Sequence, residues 1–240
     1  QRLKELHRRT AWLQAYGYEA EVVSPERAAE LHPVLDATKI LGAIHCPTDG
    51  IAKGVRAVEA LQKIAESRGA IFKDRTEVIS IEQEAGQVTG VMTDQGFFPA
   101  EIVVSCAGIW GPKVGRMFGM TKAFQPLAHQ LAWTEDIPSL ANQTEEITLP
   151  IMRHQGEDLY FRQRFNHMGI GSYLHRPLPV ESEEILPFDK AEVMPSQQPF
   201  TAPEWEPVMD LAGEIMPELK NAKGNLSCKS RYDDDRRDGL

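Results

Sequence analysis

The stretch IVVSCAGIW, residues 102–110, decides the fold class of this chain. It opens with an almost continuously apolar run, which is typical of a strand buried on both faces of a parallel sheet. A helix is expected near residues 112–117, so the order strand, glycine, helix predicts a layered α/β domain. In such domains ligands bind beyond the carboxyl ends of the strands, where a glycine lets a cofactor approach the backbone. The spacing leaves two interpretations of Gly108 open, a cofactor contact and a plain strand-to-helix turn.

Before this stretch, helical and strand patterns alternate. One predicted helix has apolar residues on a single face, namely Val55, Val58, Leu61 and Ala65. Short strands are predicted at residues 40–45 and 70–73. From Thr76 the apolar period changes to two, with turns at Ala85-Gly86 and at residues 94–96, which predicts a β-meander.

After residue 120 the pattern is rich in strands. Candidate strands cover residues 126–134, 149–154, 159–165 and 168–174, and a last helix is predicted near 204–219. We interpret this part as a second domain built on an antiparallel sheet. Residues 222–240 are charged and have little apolar content, which predicts a disordered tail.

The composition excludes several classes of protein. The 240 residues include 26 Lys and Arg against 35 Asp and Glu, whereas a sequence-independent binder of nucleic acid needs a cationic face. No run approaches the roughly twenty apolar residues of a membrane-spanning helix. Cys46, Cys106 and Cys228 are widely spaced and form no CxxC pair, which argues against a disulfide framework or a zinc site. We expect a reducing compartment, either the cytoplasm or, in a eukaryote, the mitochondrial matrix.

Two predicted strands carry polar side chains that fit a binding site. His129 lies on an apolar face of its strand, where a histidine is more often a hydrogen-bonded core residue than a ligand-binding one. Tyr160 shares a face with Arg162 and Arg164. Guanidinium groups beside a hydroxyl fit a carboxylate substrate, and the same pattern also fits an ordinary solvated sheet face.

One glycine pair resembles a nucleotide-binding motif but does not complete it. Gly169-Ile170-Gly171 resembles the start of a dinucleotide fingerprint, yet Leu174 stands where the third glycine belongs and no helix is predicted to follow. We therefore reject it as a phosphate loop. The sequence also has no HExxH, GxSxG or P-loop motif, so zinc, serine-hydrolase and triphosphatase chemistry have no support.

Four segments in this order carry a family resemblance: residues 42–120, which include TEVISIE and SCAGIWGP, then PLAHQLAWTE at 126–135, LPIMRHQGEDLYFRQ at 149–163 and GIGSYLHRPLPV at 169–180. Together they resemble the FAD-dependent amine oxidoreductases of the D-amino acid oxidase superfamily. Within it, the likeness is greatest to the dimethylglycine oxidase, dimethylglycine dehydrogenase and sarcosine dehydrogenase branch. It runs from about residue 22 to residue 221.

The resemblance implies a mixed fold, α/β plus α+β. A partial FAD-binding, Rossmann-like domain would be interleaved with a substrate domain built on an antiparallel sheet. Residues 1–50 would lead into the substrate domain, 51–120 would form part of the FAD-binding domain and 121–221 the substrate domain.

The resemblance also assigns roles by position. Val78 corresponds to the residue whose backbone meets the adenine of FAD. The segment along the cofactor corresponds to Cys106, Ala107, Gly108 and Trp110. His129 and Tyr160 correspond to catalytic positions that line the substrate pocket.

Some parts of the family pattern are not found. The strand, GxGxxG loop and helix that hold the FAD pyrophosphate would precede Gln1, as would the histidine that attaches the flavin. Beyond Asn221 the likeness fades, and the opening residues show no apolar signal-peptide core. We therefore expect an internal fragment of a longer enzyme.

The activity implied is oxidative N-demethylation of dimethylglycine or sarcosine. Hydride would pass to the flavin, and water or tetrahydrofolate, bound by a domain absent from this chain, would take up the iminium. Either oxygen or an electron-transfer flavoprotein would reoxidise the flavin. Two alternatives stay open: a glycine or D-amino acid oxidase relative, and a non-catalytic binding or assembly subunit that has lost the flavin site.

Overall fold

The structure, a computed structural model of the chain, describes residues 1–120, 125–191, 195, 197–221 and 227–233, with the backbone alone at 188, 197–198 and 227–233. The chain forms two compact units and passes repeatedly between them. The sheet unit comprises residues 1–50, 129–177 and most of 197–231. The meander unit consists mainly of residues 51–128 and 178–196. Helices combined with antiparallel sheets confirm the predicted mixed fold class.

The sheet unit begins with two helices and a small antiparallel pair. The elements are α1 (Arg2–Ala15), β1 (Glu21–Val23), α2 (Pro25–Leu31) and β2 (Ala43–His45). Helix α2 begins as its sequence predicts, because Ser24 Oγ accepts a hydrogen bond from the Arg27 amide at 3.2 Å and Pro25 occupies the first helical position. Strand β1 pairs with β2 along its whole length.

A six-stranded sheet follows, with the order β10-β11-β6-β9-β8-β7. Its strands are β6 (Leu127–Trp133), β7 (Met152–His154), β8 (Leu159–Arg164), β9 (His167–Ser172), β10 (Gln197–Gln198) and β11 (Ser227–Asp233). Strands β7, β8 and β9 form an antiparallel meander, and β9 also pairs with β6. The four strands predicted after residue 120 are therefore confirmed.

Helix α5 (Ala202–Ile215) covers one face of this sheet and forms the main core with it. Phe161 and Ile170 of the sheet are fully buried, as is Ala212 of the helix. The predicted last helix is confirmed, although Leu219 lies in a separate 3-10 turn at Pro217–Lys220.

The meander unit contains helix α3 (Gly54–Ser67), a three-stranded antiparallel sheet and helix α4 (Gly111–Arg116). The sheet strands are β3 (Val78–Glu84), β4 (Gln87–Thr93) and β5 (Gly96–Pro99). Ala85 and Gly86 turn between β3 and β4 with positive φ angles of 51° and 81°. The predicted β-meander is therefore confirmed.

Two strand predictions in this unit are wrong. Residues 102–107 form no strand, and the side chains of Ile102 and Val104 are 80% and 78% exposed. Residues 70–73 likewise have no regular structure. An apolar run becomes a buried strand only when neighbouring strands satisfy its backbone hydrogen bonds. No strand among the described residues pairs with either of these two segments.

The prediction of a disordered tail also differs from the structure over Ser227–Asp233, which form β11. This strand lies between β6 and β10 in the sheet, pairing Arg231 with Gln197 and Ser230 with Gln198. An edge strand offers unpaired backbone groups that a charged segment satisfies as well as an apolar one. The rest of the predicted tail, residues 222–226 and 234–240, lies outside the described residues.

Candidate functional site

The six-stranded sheet has one face packed against α5 and an opposite face that carries the predicted catalytic residues. Burial alternates along β6 and β8, as predicted from their period of two. The residues buried on the packed side are Gln130, Ala132, Leu159, Phe161 and Gln163. His129, Tyr160 and Arg162 are half-buried on the opposite face, which we call the site face.

Two glycines of β9 make room for aromatic rings on the site face. Gly171 pairs with Tyr160 on β8, and Gly169 pairs with Trp133 on β6. A methyl group on Gly171 would overlap the Tyr160 ring, and one on Gly169 would lie 3.0 Å from the Trp133 ring. Both rings therefore lie across the β9 backbone, where only glycine leaves them space. The glycine pair that we rejected as a phosphate loop thus shapes the site face.

His129 and Tyr160 are linked through Tyr173, which follows β9. The ring centroids of His129 and Tyr173 are 4.6 Å apart in an edge-on arrangement, and those of Tyr160 and Tyr173 are 5.6 Å apart. On its other side, His129 Nδ1 lies 3.2 Å from His175 Nε2. His129 thus joins a polar aromatic cluster rather than the apolar core.

Gln130 anchors β6 from the packed side. Its Oε1 accepts a hydrogen bond from the Thr201 amide at 3.0 Å, and its Nε2 donates to Thr201 Oγ1 at 2.7 Å. Because Gln130 is 1% exposed, these bonds satisfy a polar group that would otherwise be costly to bury. They tie the backbone beside His129 to the residue before α5.

Arg162 and Arg164 differ in their surroundings. The Nη2 atom of Arg162 is 3.7 Å from Glu146 Oε1, and its buried Nε has no hydrogen-bond partner among the described residues. Arg164 is exposed, and its guanidinium carbon lies 5.8 Å from the centre of the Trp133 ring. A buried N–H without a partner is unfavourable, so Arg162 is the one that an additional acceptor oxygen would satisfy.

The predicted cofactor segment forms a turn and a short helix in the meander unit. Gly108–Trp110 form a 3-10 turn that continues into α4. Gly108 has a φ of +52°, and none of the described residues has an atom within 4 Å of a methyl group placed on it. Cys106 is exposed, whereas Ala107 is half-buried and Trp110 packs against a small apolar cluster. That cluster contains Ala128, Val180 and Ile185.

Val78 begins β3 in the same unit and pairs with Thr93. Lys113 Nζ of α4 donates a hydrogen bond to Glu77 Oε1 at 2.9 Å. Because Glu77 adjoins Val78 and α4 follows Trp110, this ion pair joins the two predicted cofactor-binding regions.

One feature of the meander unit agrees with the expected FAD contact. Among the described residues, no atom occupies the space directly beside the Gly108 backbone, and the positive φ favours glycine there. The group would be held by Val78 and by the segment from Cys106 to Trp110. In the described part of the chain, no set of side chains has the makings of a metal site, and no helix is long and apolar enough to span a bilayer.

Three residues of the site face have roles that the sequence pattern does not predict. Tyr173 and His175 follow the end of β9 at Ser172, in irregular backbone where no periodicity gives the direction of a side chain. Gly171 was considered only as a nucleotide motif. The signal for its true role is a glycine in a strand pattern, which indicates that another group approaches the backbone closely.

A comparison with protein families now defines the class of protein. Residues 1–238 match the family described as FAD dependent oxidoreductase. The chain therefore belongs to this family, which confirms the predicted family and its cofactor, FAD.

Several individual proteins are similar to this chain over part of their length. The chain is 29% identical over 183 residues to mitochondrial sarcosine dehydrogenase of Mus musculus, covering 74% of this chain and 19% of the relative. It is 32% identical over 165 residues to mitochondrial dimethylglycine dehydrogenase of Mus musculus, covering 69% and 18%. A third relative, the mitochondrial pyruvate dehydrogenase phosphatase regulatory subunit of Mus musculus, is 37% identical over 114 residues, covering 48% and 13%. The chain thus spans about a fifth or less of the length of these relatives.

A solved structure agrees with the family assignment. The fold is similar to that of L-proline dehydrogenase from P. horikoshii, with a TM-score of 0.74 and 25% sequence identity. The match covers 96% of this chain and 57% of that one.

Proposed function

We propose that the whole protein oxidises a small N-methylated amino acid, dimethylglycine or sarcosine, at its N-methyl carbon. The observation that carries this proposal is the grouping of His129, Tyr160 and Arg162 on one sheet face. Such a substrate has a carboxylate and an amine separated by one carbon. The site face offers a partner for each of these groups.

Arg162 is the proposed partner of the substrate carboxylate. Its buried Nε lacks an acceptor among the described residues, and Glu146 engages the guanidinium only at 3.7 Å. A carboxylate oxygen would satisfy this donor, and the planar guanidinium suits a paired hydrogen bond. Arg164 is less suited because its exposed side chain retains more of its hydration.

His129 and Tyr160 are the proposed partners of the amine. The amine must be neutral for its lone pair to assist as hydride leaves the adjacent methyl carbon. His129 would take the ammonium proton, and the Tyr160 hydroxyl would orient the nitrogen. FAD, when bound, supplies the hydride acceptor. Water or tetrahydrofolate would then take up the iminium carbon, and oxygen or an electron-transfer flavoprotein would be the final acceptor.

Rapid-mixing measurements of flavin reduction in the whole protein test this proposal. Dimethylglycine and sarcosine should bleach the flavin faster than glycine or D-alanine. Tyr160→Phe removes only a hydroxyl and should slow reduction by about ten- to a thousandfold, equivalent to roughly 1.4–4 kcal/mol of transition-state stabilisation. His129→Gln should also slow it and alter its pH dependence, with normal flavin content in both variants.

Equal rates in the parent and both variants, together with a lower unfolding temperature, would show that His129 and Tyr160 are structural. Faster reduction by glycine or D-alanine would instead favour the alternative of a glycine or D-amino acid oxidase relative.

The similarity to a regulatory subunit favours a second candidate, a non-catalytic binding or assembly subunit. If this second candidate is right, the purified whole protein should contain no flavin. A yellow protein with one FAD per chain would exclude this candidate.

A further inference from the structure

The imidazoles of His129 and His175 and the carbonyl of Arg176 form a continuous series of hydrogen bonds. His175 Nδ1 lies 2.7 Å from the Arg176 carbonyl oxygen, and His175 Nε2 lies 3.2 Å from His129 Nδ1. A carbonyl oxygen can only accept, so His175 Nδ1 must carry a proton and donate it. With both rings neutral, His175 Nε2 is then an acceptor, and the proton between the two rings resides on His129 Nδ1.

We infer that His175 is a positioning residue that holds His129 in the Nδ1–H tautomer, so that His129 Nε2 is the basic nitrogen. This inference rests on the proposed function, in which His129 takes the ammonium proton of the substrate. The other tautomer would place a proton on Nε2 and make His129 a donor. A second histidine therefore decides whether His129 acts as a base.

The loop that carries His175 is held in place from several directions. Pro177 restricts Arg176 to extended conformations, which limits the direction of its carbonyl. The Arg176 guanidinium forms an ion pair with Glu204 of α5 at 2.9 Å. At the start of the loop, the Leu174 amide donates to Ser172 Oγ at 3.0 Å. The acceptor nitrogen of His175 is therefore presented by backbone and side-chain contacts that do not involve His129.

The ring of His129 is held as well. Tyr173 meets it edge-on at 4.6 Å, and the His175 ring is tilted against it with 5.2 Å between centroids. The titratable and charged groups near the pair include Tyr160 of β8, Tyr173 after β9, and the ion pair between Arg176 and Glu204. The hydrogen bond between the two imidazoles is the contact from which we assign the His129 tautomer.

Two substitutions of His175 separate hydrogen bonding from packing. His175→Phe keeps a flat ring but cannot accept a hydrogen bond. His175→Gln can place Oε1 near the position of Nε2 and accept from His129 Nδ1, although it cannot titrate. If His175 acts by accepting a hydrogen bond, His175→Phe should lose its influence on His129 and His175→Gln should keep it. If His175 acts only by packing, His175→Phe should keep that influence and His175→Gln should lose it.

The first measurement is the tautomer itself, read from long-range ¹H–¹⁵N correlations of the histidine-labelled chain at pH 8.5. The chain has 7 histidines, and His129→Gln and His175→Gln assign the two signals by their loss. His129 should be the Nδ1–H tautomer in the parent and in His175→Gln, and should move toward the Nε2–H tautomer in His175→Phe. An Nε2–H tautomer of His129 in the parent overturns the inference.

The second measurement is flavin reduction by dimethylglycine in the whole protein across pH. Flavin reduction in His175→Phe should be about ten- to a hundredfold slower, by analogy with the loss of the partner that orients a metal-bound histidine. The acidic limb of its pH profile should move to lower pH, because an acceptor that stabilises the His129 cation is lost. His175→Gln should stay near the parental rate and profile. Equal rates and profiles in all three proteins contradict a positioning role.

The two measurements distinguish failure of this inference from failure of the proposed function. If dimethylglycine and sarcosine do not reduce the flavin but the tautomer responds to His175 as expected, the substrate is wrong and the positioning role stands. If both compounds reduce the flavin and the tautomer does not respond, the proposed function stands and the positioning role is wrong.

Discussion

The sheet unit and the meander unit were both predicted to bury apolar faces, and they differ in how far they do so. Phe161 and Ile170 of the sheet unit are 0% exposed beneath α5, whereas Val58 of α3 is 64% exposed in the meander unit. Apolar periodicity in the sequence predicts both faces. An apolar pattern therefore shows that a face requires a covering partner, but not whether the described residues provide it.

Burial in the sheet unit has a titration consequence that tests it directly. His32 at the end of α2 is 4% exposed, and burial lowers the pKa of its imidazole to about 4. In the unfolded chain His32 is protonated below about pH 6.5. In the folded chain it stays neutral down to about pH 4. The stability of the chain should therefore fall between pH 6.5 and about 4 by an amount on the order of 3 kcal/mol from this residue.

Urea unfolding at pH 7 and at pH 4.5 measures this effect. His32→Leu should have a smaller pH dependence over that interval than the parent, while His7→Leu, at an exposed position of α1, should retain the parental dependence. If the two variants respond alike, His32 is hydrated in solution and the sheet unit is less well packed than its burial indicates.

The next effect concerns the site face and the close approach of Tyr160 to β9. Gly171→Ala places a methyl group where the Tyr160 ring lies, so the ring must move and its contact with Tyr173 must change. In the whole protein we expect flavin reduction by dimethylglycine to slow by about ten- to a hundredfold, because small displacements of a positioning group are costly to catalysis. The matched control is Gly50→Ala, where the structure describes no atom within 4 Å of the added methyl group. An unchanged rate for Gly171→Ala would show that the position of the Tyr160 ring does not matter to the reaction.

The sequence predicts features that depend on neighbouring residues better than features that depend on residues distant in the chain. The alternation in β6 and β8 placed His129 and Tyr160 correctly on a sheet face, because side-chain direction in a strand is a local property. The contact of His129 with His175 joins residues 46 positions apart through a loop of irregular backbone, and no periodicity encodes it. The strand predicted at 102–107 failed for a related reason, since pairing depends on residues distant in the chain.

A smaller effect is expected at the cofactor segment of the meander unit. Gly108→Leu adds a side chain where the cofactor is proposed to meet the backbone, and should weaken FAD retention of the whole protein by about tenfold or more, about 1.4 kcal/mol. Gly119→Leu is the control, because Gly119 also has a positive φ, +83°, and no atom of the described part of the chain lies within 4 Å of a methyl group placed on it. The ratio of flavin to protein after dialysis measures retention. Equal retention in the two variants would leave Gly108 as a plain turn.

The smallest effect is expected on the exposed face of α3, and it bears most directly on the difference between the units. Val58→Ser removes apolar surface that is already in water, so the free energy of unfolding of the chain should change by no more than about 0.5 kcal/mol.

Val208→Ser is the matched substitution in α5, where the side chain is 1% exposed. It should cost about 2–4 kcal/mol, because it deletes buried methyl contacts and buries a hydroxyl. Serine and valine have similar helix propensities, so the comparison isolates burial. Equal costs at the two positions, measured by urea unfolding, would show that the α3 face is covered in solution and that the two units are built alike.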